Sequence, residues 1–126
     1  MSFEFTVNRD DDVILITLNK TVSIEDLKLS RTKTIELLNE TGIHNYIVDL
    51  SAVISFLDQD VITTYQMGKE FQNIKFPLST KTAVIMPMDE EARNQATFLH
   101  TVEINRMRGP LKYVSSYKEA LSWFKS

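Results

Sequence analysis

Asp49, Asp58 and Asp60 are the carboxylates whose spacing could do chemistry together. They fall in "NYIVDLSAVISFLDQDVITT", residues 45 to 64, which reads as a buried strand, a short loop and the opening of a helix. Ligands in open α/β sheets bind beyond the carboxyl ends of strands, so the loops after Leu50 and after Met86 carry the expectation of function. Three acids would suit a hard cation such as magnesium or calcium. The same residues also have a structural reading. Asp58 is placed to cap a helix, and Asp60 sits in the first turn, where a negative charge offsets the helix dipole. The structural reading accounts for both, so no metal site is expected.

Phosphate chemistry at a helix start needs exposed backbone N–H groups and a positive helix end. Neither loop contains a glycine, and Asp58, Asp60 and Asp89 to Glu91 would occupy or repel the anion. A nucleotide cradle is therefore not expected. The chain has no cysteine, which removes disulfides, thiol nucleophiles and thiolate metal ligands. Its two histidines are His44, in a helix-to-strand turn, and His100, on a helix with Glu103. No serine has a visible histidine and aspartate partner. Arg106, Arg108 and Lys112 form a small basic group that complements a helix C-terminus. No catalytic residues, no cofactor and no metal follow from these patterns.

The composition narrows the classes further. The 126 residues suggest one domain, spanning 1–126, with a core large enough to fold. Hydrophobic residues are 43% and charged residues 25%, ordinary values for a soluble globular protein. A net charge of -3 gives no general attraction to nucleic acid or anionic lipid. The acidic start "MSFEFTVNRDDD" carries no signal-peptide stretch, and no apolar run approaches the ~20 residues that span a bilayer. A cytoplasmic location, with no membrane insertion, is the expectation.

The elements that must position these residues alternate. "FEFTV" alternates like a half-buried edge strand, "NRDDD" is a turn, and "VILITL" is apolar on both faces. Ser23 caps a helix that ends at Gly42, with Ile24, Leu27, Ile35 and Leu38 on one face. "YIVDL" is the next strand, and a helix runs from Asp58 to about Asn73. "TAVIMP" is a strand, and Asp89 caps a helix ending at Gly109. "LKYV" is a last strand, and Ser116 with Glu119 forms a capping box for "YKEALSWF". The order is ββαβαβαβα, an α/β fold with a mostly parallel five-stranded sheet and four helices.

That order, with "IVDLSAVISFLDQDVITT" and "FLHTVEINRMRG", resembles the SpoIIAA-like branch of the STAS domains over nearly the whole length. This branch is related in fold to the CRAL-TRIO (Sec14-like) domains. The resemblance implies a βα superhelix with an antiparallel N-terminal strand. Anti-sigma factor antagonists of that family carry a "DSSG"-like turn in which a serine is phosphorylated. Asp58 matches the family aspartate, but Gln59, Asp60 and Val61 stand where the serines and glycine would be. The acceptor hydroxyl is missing.

The expected function is a non-enzymatic interaction module. It would bind a protein partner through Ser51, Ser55, Phe56, Leu57, Asp58, Gln59 and Asp60. The alternative is a carrier or sensor for a small apolar ligand or lipid of CRAL-TRIO-like type. Phe56, Leu57, Phe71, Phe76 and Phe98 would line its pocket. A homodimer is also expected. Crossovers of one hand leave one sheet face short of cover, unless the first or last helix folds across it. Leu29, Leu37, Phe98 and Ile104 lie off the main helix stripes and are the interface candidates.

Overall fold

The computed structural model describes residues 3–56, 80–103 and 110–126, with the backbone alone for residues 24 and 98–103. Five strands form one sheet in the order β1-β2-β3-β4-β5. They are β1 (Phe3–Asn8), β2 (Val13–Val22), β3 (Asn45–Phe56), β4 (Lys81–Ile85) and β5 (Leu111–Val114). β1 runs antiparallel to β2, and the other pairs are parallel. Three helices are described: α1 (Ile24–Thr41), α2 (Glu90–Glu103) and α3 (Tyr117–Phe124). The expected helix from Asp58 to Asn73 lies outside the described residues. Consecutive strands are neighbours, as the superhelix expectation requires.

α1 forms where its sequence marks both ends. Ser23 Oγ accepts from Asp26 N–H, and Asp26 Oδ2 accepts from Ser23 N–H, each at 3.1 Å. This capping box satisfies two N–H groups at the start of the helix. Gly42 then adopts φ 71°, and its N–H bonds the Leu38 carbonyl at 3.0 Å. A residue with a Cβ would be strained in that conformation. Leu38 is buried and Leu27 packs against the core, as the stripe predicts. Ser30 and Thr34 are buried beside them. Their hydroxyls donate to the carbonyls of Leu27 and Ser30, which removes the cost of hiding them.

Alternation along the strands gives the sheet two apolar faces. Phe3, Phe5 and Val7 lie opposite Leu18, Ile16 and Ile14, and Tyr46 and Leu50 continue that face. α1 and α2 cover it, with Leu38, Ala92 and Ala96 buried. The opposite face presents Val13, Ile47, Ala83, Ile85 and Val114, and α3 lies across it through Ala120. Lys81 fastens the end of α3, with Nζ 3.5 Å from the Phe124 carbonyl and 5.8 Å from the Trp123 ring centroid. A cation at that end also suits the helix dipole. The last helix therefore supplies the cover whose absence motivated the homodimer. The part of this face beyond α3 carries Glu4, Thr6, Thr17, Asp49 and Ser51, residues that tolerate water.

Two boundaries differ from expectation. β3 does not stop at Leu50 but continues to Phe56, and β2 runs past Leu18 to Val22. The two extensions pair with each other, Asn19 to Ala52, Lys20 to Val53, Thr21 to Ser55 and Val22 to Phe56. Asn19, Lys20 and Thr21 are polar enough to read as loop, and the pairing of the two extensions makes both of them strands. The pairing holds despite register shifts around Asn19 and Lys20, where Lys20 has φ 57°. Such bulges add local twist and re-aim side chains.

The second difference concerns α3. Ser116 Oγ accepts from Glu119 N–H at 3.1 Å, as a cap should. Glu119 does not complete the box on Ser116. Its Oε2 accepts instead from the N–H and the hydroxyl of Ser115, both at 2.6 Å. These bonds, with the hydroxyl contributing most, lower the Glu119 pKa below the ordinary glutamate value.

Candidate functional site

The long β3 carries the site. Ser51, Ser55 and Phe56, expected in a loop, are strand residues. Leu50, Val53 and Phe56 are buried, while Ala52 and Ile54 are exposed. Leu57, Asp58, Gln59 and Asp60 lie outside the described residues. Among the described residues, β3 has no paired strand residue on its β4 side beyond Asp49, because β4 ends at Ile85. Other groups meet that edge. Met88 N–H donates to the Ser51 carbonyl at 3.3 Å. Gln95 on α2 accepts from the Phe56 N–H at 2.9 Å and donates to the Phe56 carbonyl at 3.3 Å. Its carboxamide does for Phe56 what a neighbouring strand would do.

α2 is placed to deliver Gln95 by its own cap. Asp89 Oδ2 accepts from Ala92 N–H at 3.0 Å, as the sequence predicts. Arg93 Nε donates back to the Pro87 carbonyl at 3.1 Å, which steadies the loop between β4 and α2. Ala92 and Ala96, four residues apart, turn to the sheet. No pattern in the sequence singles out Gln95, since its role comes from where α2 crosses the β3 end.

Asp49 is half-buried, and its Oδ1 accepts from both the N–H and the hydroxyl of Ser51, at 2.9 and 2.7 Å. The carboxylate is thus engaged locally. Among the described residues, no group of three or more His, Asp or Glu side chains could hold a metal ion. His44 is exposed, and its carbonyl accepts from Lys81 N–H at 2.8 Å. His100 and Glu103 lie on α2.

Among the described residues, two large apolar side chains stay exposed at the carboxyl end of the sheet. Ile54 is 58% exposed and Met88 77%. Met88 is tied through its backbone to Ser51, so both belong to the end of β3. Leu29 on α1 is 50% exposed. Leu37 differs from the expectation of a free surface residue. It is half-buried and packs against the main core, because α1 presents a broader face to the sheet than the four-residue stripe implies. The Phe98 side chain and Ile104 lie outside the described residues.

A cavity of about 80 Å³ lies between the sheet and the helices above it. Ile16, Leu18, Tyr46, Val48, Val84 and Met86 form its floor, with Leu27, Ser30 and Arg31 from α1 and Ala96 from α2. Phe56, Thr82 and Tyr113 also reach it. Of the aromatics expected to line an apolar pocket, Phe56 does so. Phe71 and Phe76 lie outside the described residues. Ser30 and Ala96, small inward residues of the two helices, are the part of this lining that the sequence could have signalled.

No family model matches the chain, and no curated protein matches it. Solved structures do. The chain is similar to an uncharacterized protein of the DUF3478 family with a SpoIIAA-like fold from Shewanella loihica PV-4. That match has 14% identity and a TM-score of 0.57, covering 97% of this chain and 93% of the other. It is also similar to the anti-sigma factor antagonist SpoIIAA in its unphosphorylated form. There the identity is 14% and the TM-score 0.54, over 98% of each chain. The fold is SpoIIAA-like, as the resemblance implied.

Proposed function

Starting from this SpoIIAA-like fold, we propose that the chain is a non-enzymatic STAS-type regulatory module that binds a protein partner. The partner meets the carboxyl end of β3, at Ser51, Ser55 and Phe56, and the residues that follow, Leu57 to Asp60. The supporting observation is the exposure of Ile54 and Met88 at one end of the sheet. Apolar side chains held out by strand and loop backbone are a ready contact surface. One of the similar solved structures is an anti-sigma factor antagonist, and its name describes action on another protein. Gln59 and Asp60 stand where the family's hydroxyls would be, so binding here runs without the serine phosphoswitch. The module works in the cytoplasm.

Quantitative affinity capture tests this reading. Wild-type protein should retain a discrete partner that Ile54→Asp and Met88→Asp each lose while remaining folded. Equal capture by all three, with the same partner, would remove the β3 end from the interface.

A second reading is supported by the cavity beneath α1 and α2. A void of that size leaves its lining short of contacts, and a small apolar ligand would restore them. The two readings share Phe56 but otherwise rest on different residues, and both can hold.

A further inference from the structure

We infer that the outer edge of β1 is an interface with a second copy of this chain, formed by antiparallel strand addition about a two-fold axis at Phe5. The hydrogen bonds inside the sheet fix which backbone groups face outward. Lys81 N–H reaches the His44 carbonyl, one residue before its register partner Asn45. In a parallel ladder, Lys81 therefore turns its backbone groups to β3, and Asn45 turns its own the other way, to β2. This direction alternates along a strand, so Ile47 and Asp49 also face β2, and their partners Leu15 and Thr17 face β1. The residues opposite those, Thr6 and Glu4, bond back to β2. Phe3, Phe5 and Val7 are left with their N–H and C=O groups pointing out of the sheet. Among the described residues, no strand pairs with them.

The two edges of the sheet differ. β5 is four residues long, contains Lys112 and follows Pro110, features that discourage further pairing. β1 is six residues long, pairs with β2 without a register shift, and contains neither lysine nor proline. Its order of residues suits its own copy. An axis at Phe5 sets Phe5 against Phe5 and Phe3 against Val7 of the second copy, so every outward N–H and C=O is used. Apolar side chains then continue one face, and Glu4 opposes Thr6 on the other. An axis at Glu4 would set like charges directly opposite each other. An axis at Thr6 would carry Phe3 past Val7 to Arg9, which lies in the turn. An open depression beside the edge is lined by Thr6, Val7 and Thr41. The Phe3 ring of the second copy, opposite Val7, enters it. The contact thus uses the strand edge and not the exteriors of α1 and α2.

The chain has no cysteine, so introduced thiols report the pairing directly. Glu4 and Thr6 are exposed, and replacing them leaves the core intact. Glu4→Cys protein is mixed with Thr6→Cys protein carrying a tag, and the mixture is oxidised. The mixed covalent dimer should form several-fold more than either self-linked dimer. Directly opposed residues have Cα atoms about 4.5 Å apart, within disulfide reach, and diagonal ones lie about 7–8 Å apart, beyond it. Sedimentation equilibrium on the wild type at high micromolar concentration should give twice the 14.5 kDa chain mass. Val7→Pro deletes an outward donor without touching the β1–β2 ladder, and should return the protein to monomer. Glu4→Gln removes two like charges placed diagonally, and should tighten the dimer about twofold. A wild-type monomer at that concentration would overturn the interface. So would a mixed covalent dimer no more abundant than the self-linked ones. If Val7→Pro fails to fold, the crosslinks and Glu4→Gln decide.

Discussion

The Gln95 carboxamide holds the backbone of Phe56 at both ends, accepting its N–H at 2.9 Å and donating to its carbonyl at 3.3 Å. The pair joins residues 39 apart and closes the β3 edge where β4 has already ended. Removing the side chain leaves two partly buried backbone groups without this partner. Gln95→Leu should therefore cost about 1–3 kcal/mol in a denaturant melt. An unchanged midpoint would mean that water replaces the carboxamide freely.

Gly42 ends α1 with φ 71°, and a Cβ there would meet nothing within 4 Å. The cost of a substitution is thus backbone strain alone. Gly42→Ala should destabilise by about 1–2 kcal/mol, and Gly42→Asn by less, because asparagine tolerates the left-handed region. Equal melts for the two variants would refute this account of the cap.

Tyr117 ties α3 to the β1–β2 turn. Its hydroxyl donates to Asp11 Oδ2 at 2.8 Å, and Asn8 Nδ2 donates to the same oxygen at 2.9 Å. Burial, and then the bond to the Asp11 carboxylate, raise the phenol pKa above its ordinary value. A raised pKa means that the folded chain holds the proton more tightly than the unfolded chain. The stabilisation is whole below about pH 10, the unfolded value, and is lost as pH rises through the folded value. Wild type should exceed Tyr117→Phe by about 1 kcal/mol near neutral pH, with the gap closing in alkali. A gap that is constant with pH would show that the phenol does not titrate as described.

On the proposed reading, Gln59 and Asp60 stand where anti-sigma factor antagonists carry hydroxyl residues, so the segment should not serve as a kinase-controlled switch. Incubation with cell extract and ATP, followed by peptide mass spectrometry, should find no stoichiometric phosphate on residues 51 to 64. Such phosphate on Ser51, Ser55, Thr63 or Thr64 would restore the phosphoswitch.

Much of the fold was legible because its signals are local. Ser23, Gly42, Asp89 and the apolar runs of β2, β3 and β4 mark their own elements. What could not be read was cooperative. "NKTV" and "SAVISF" are unremarkable alone and become strands by pairing with each other. Ser30 and Thr34 look like solvent residues until their hydroxyls are seen bonded to the preceding turn. Glu119 found Ser115 rather than Ser116, a choice between neighbours that spacing cannot make. At the site, Ser51, Ser55 and Phe56 were rightly located at the carboxyl end of β3 but assigned to the wrong element. Gln95 was missed because it acts through chain positions 39 residues away.

The most direct test of partner binding is site-specific photo-crosslinking in cells. A crosslinking residue is placed at position 54, at position 88 or, as a control, at the exposed Glu36 on α1. Positions 54 and 88 should each yield one discrete heavier adduct with the same protein, and position 36 should not. No adduct from 54 or 88, or the same adduct from all three, would contradict the assignment of the β3 end as the partner surface.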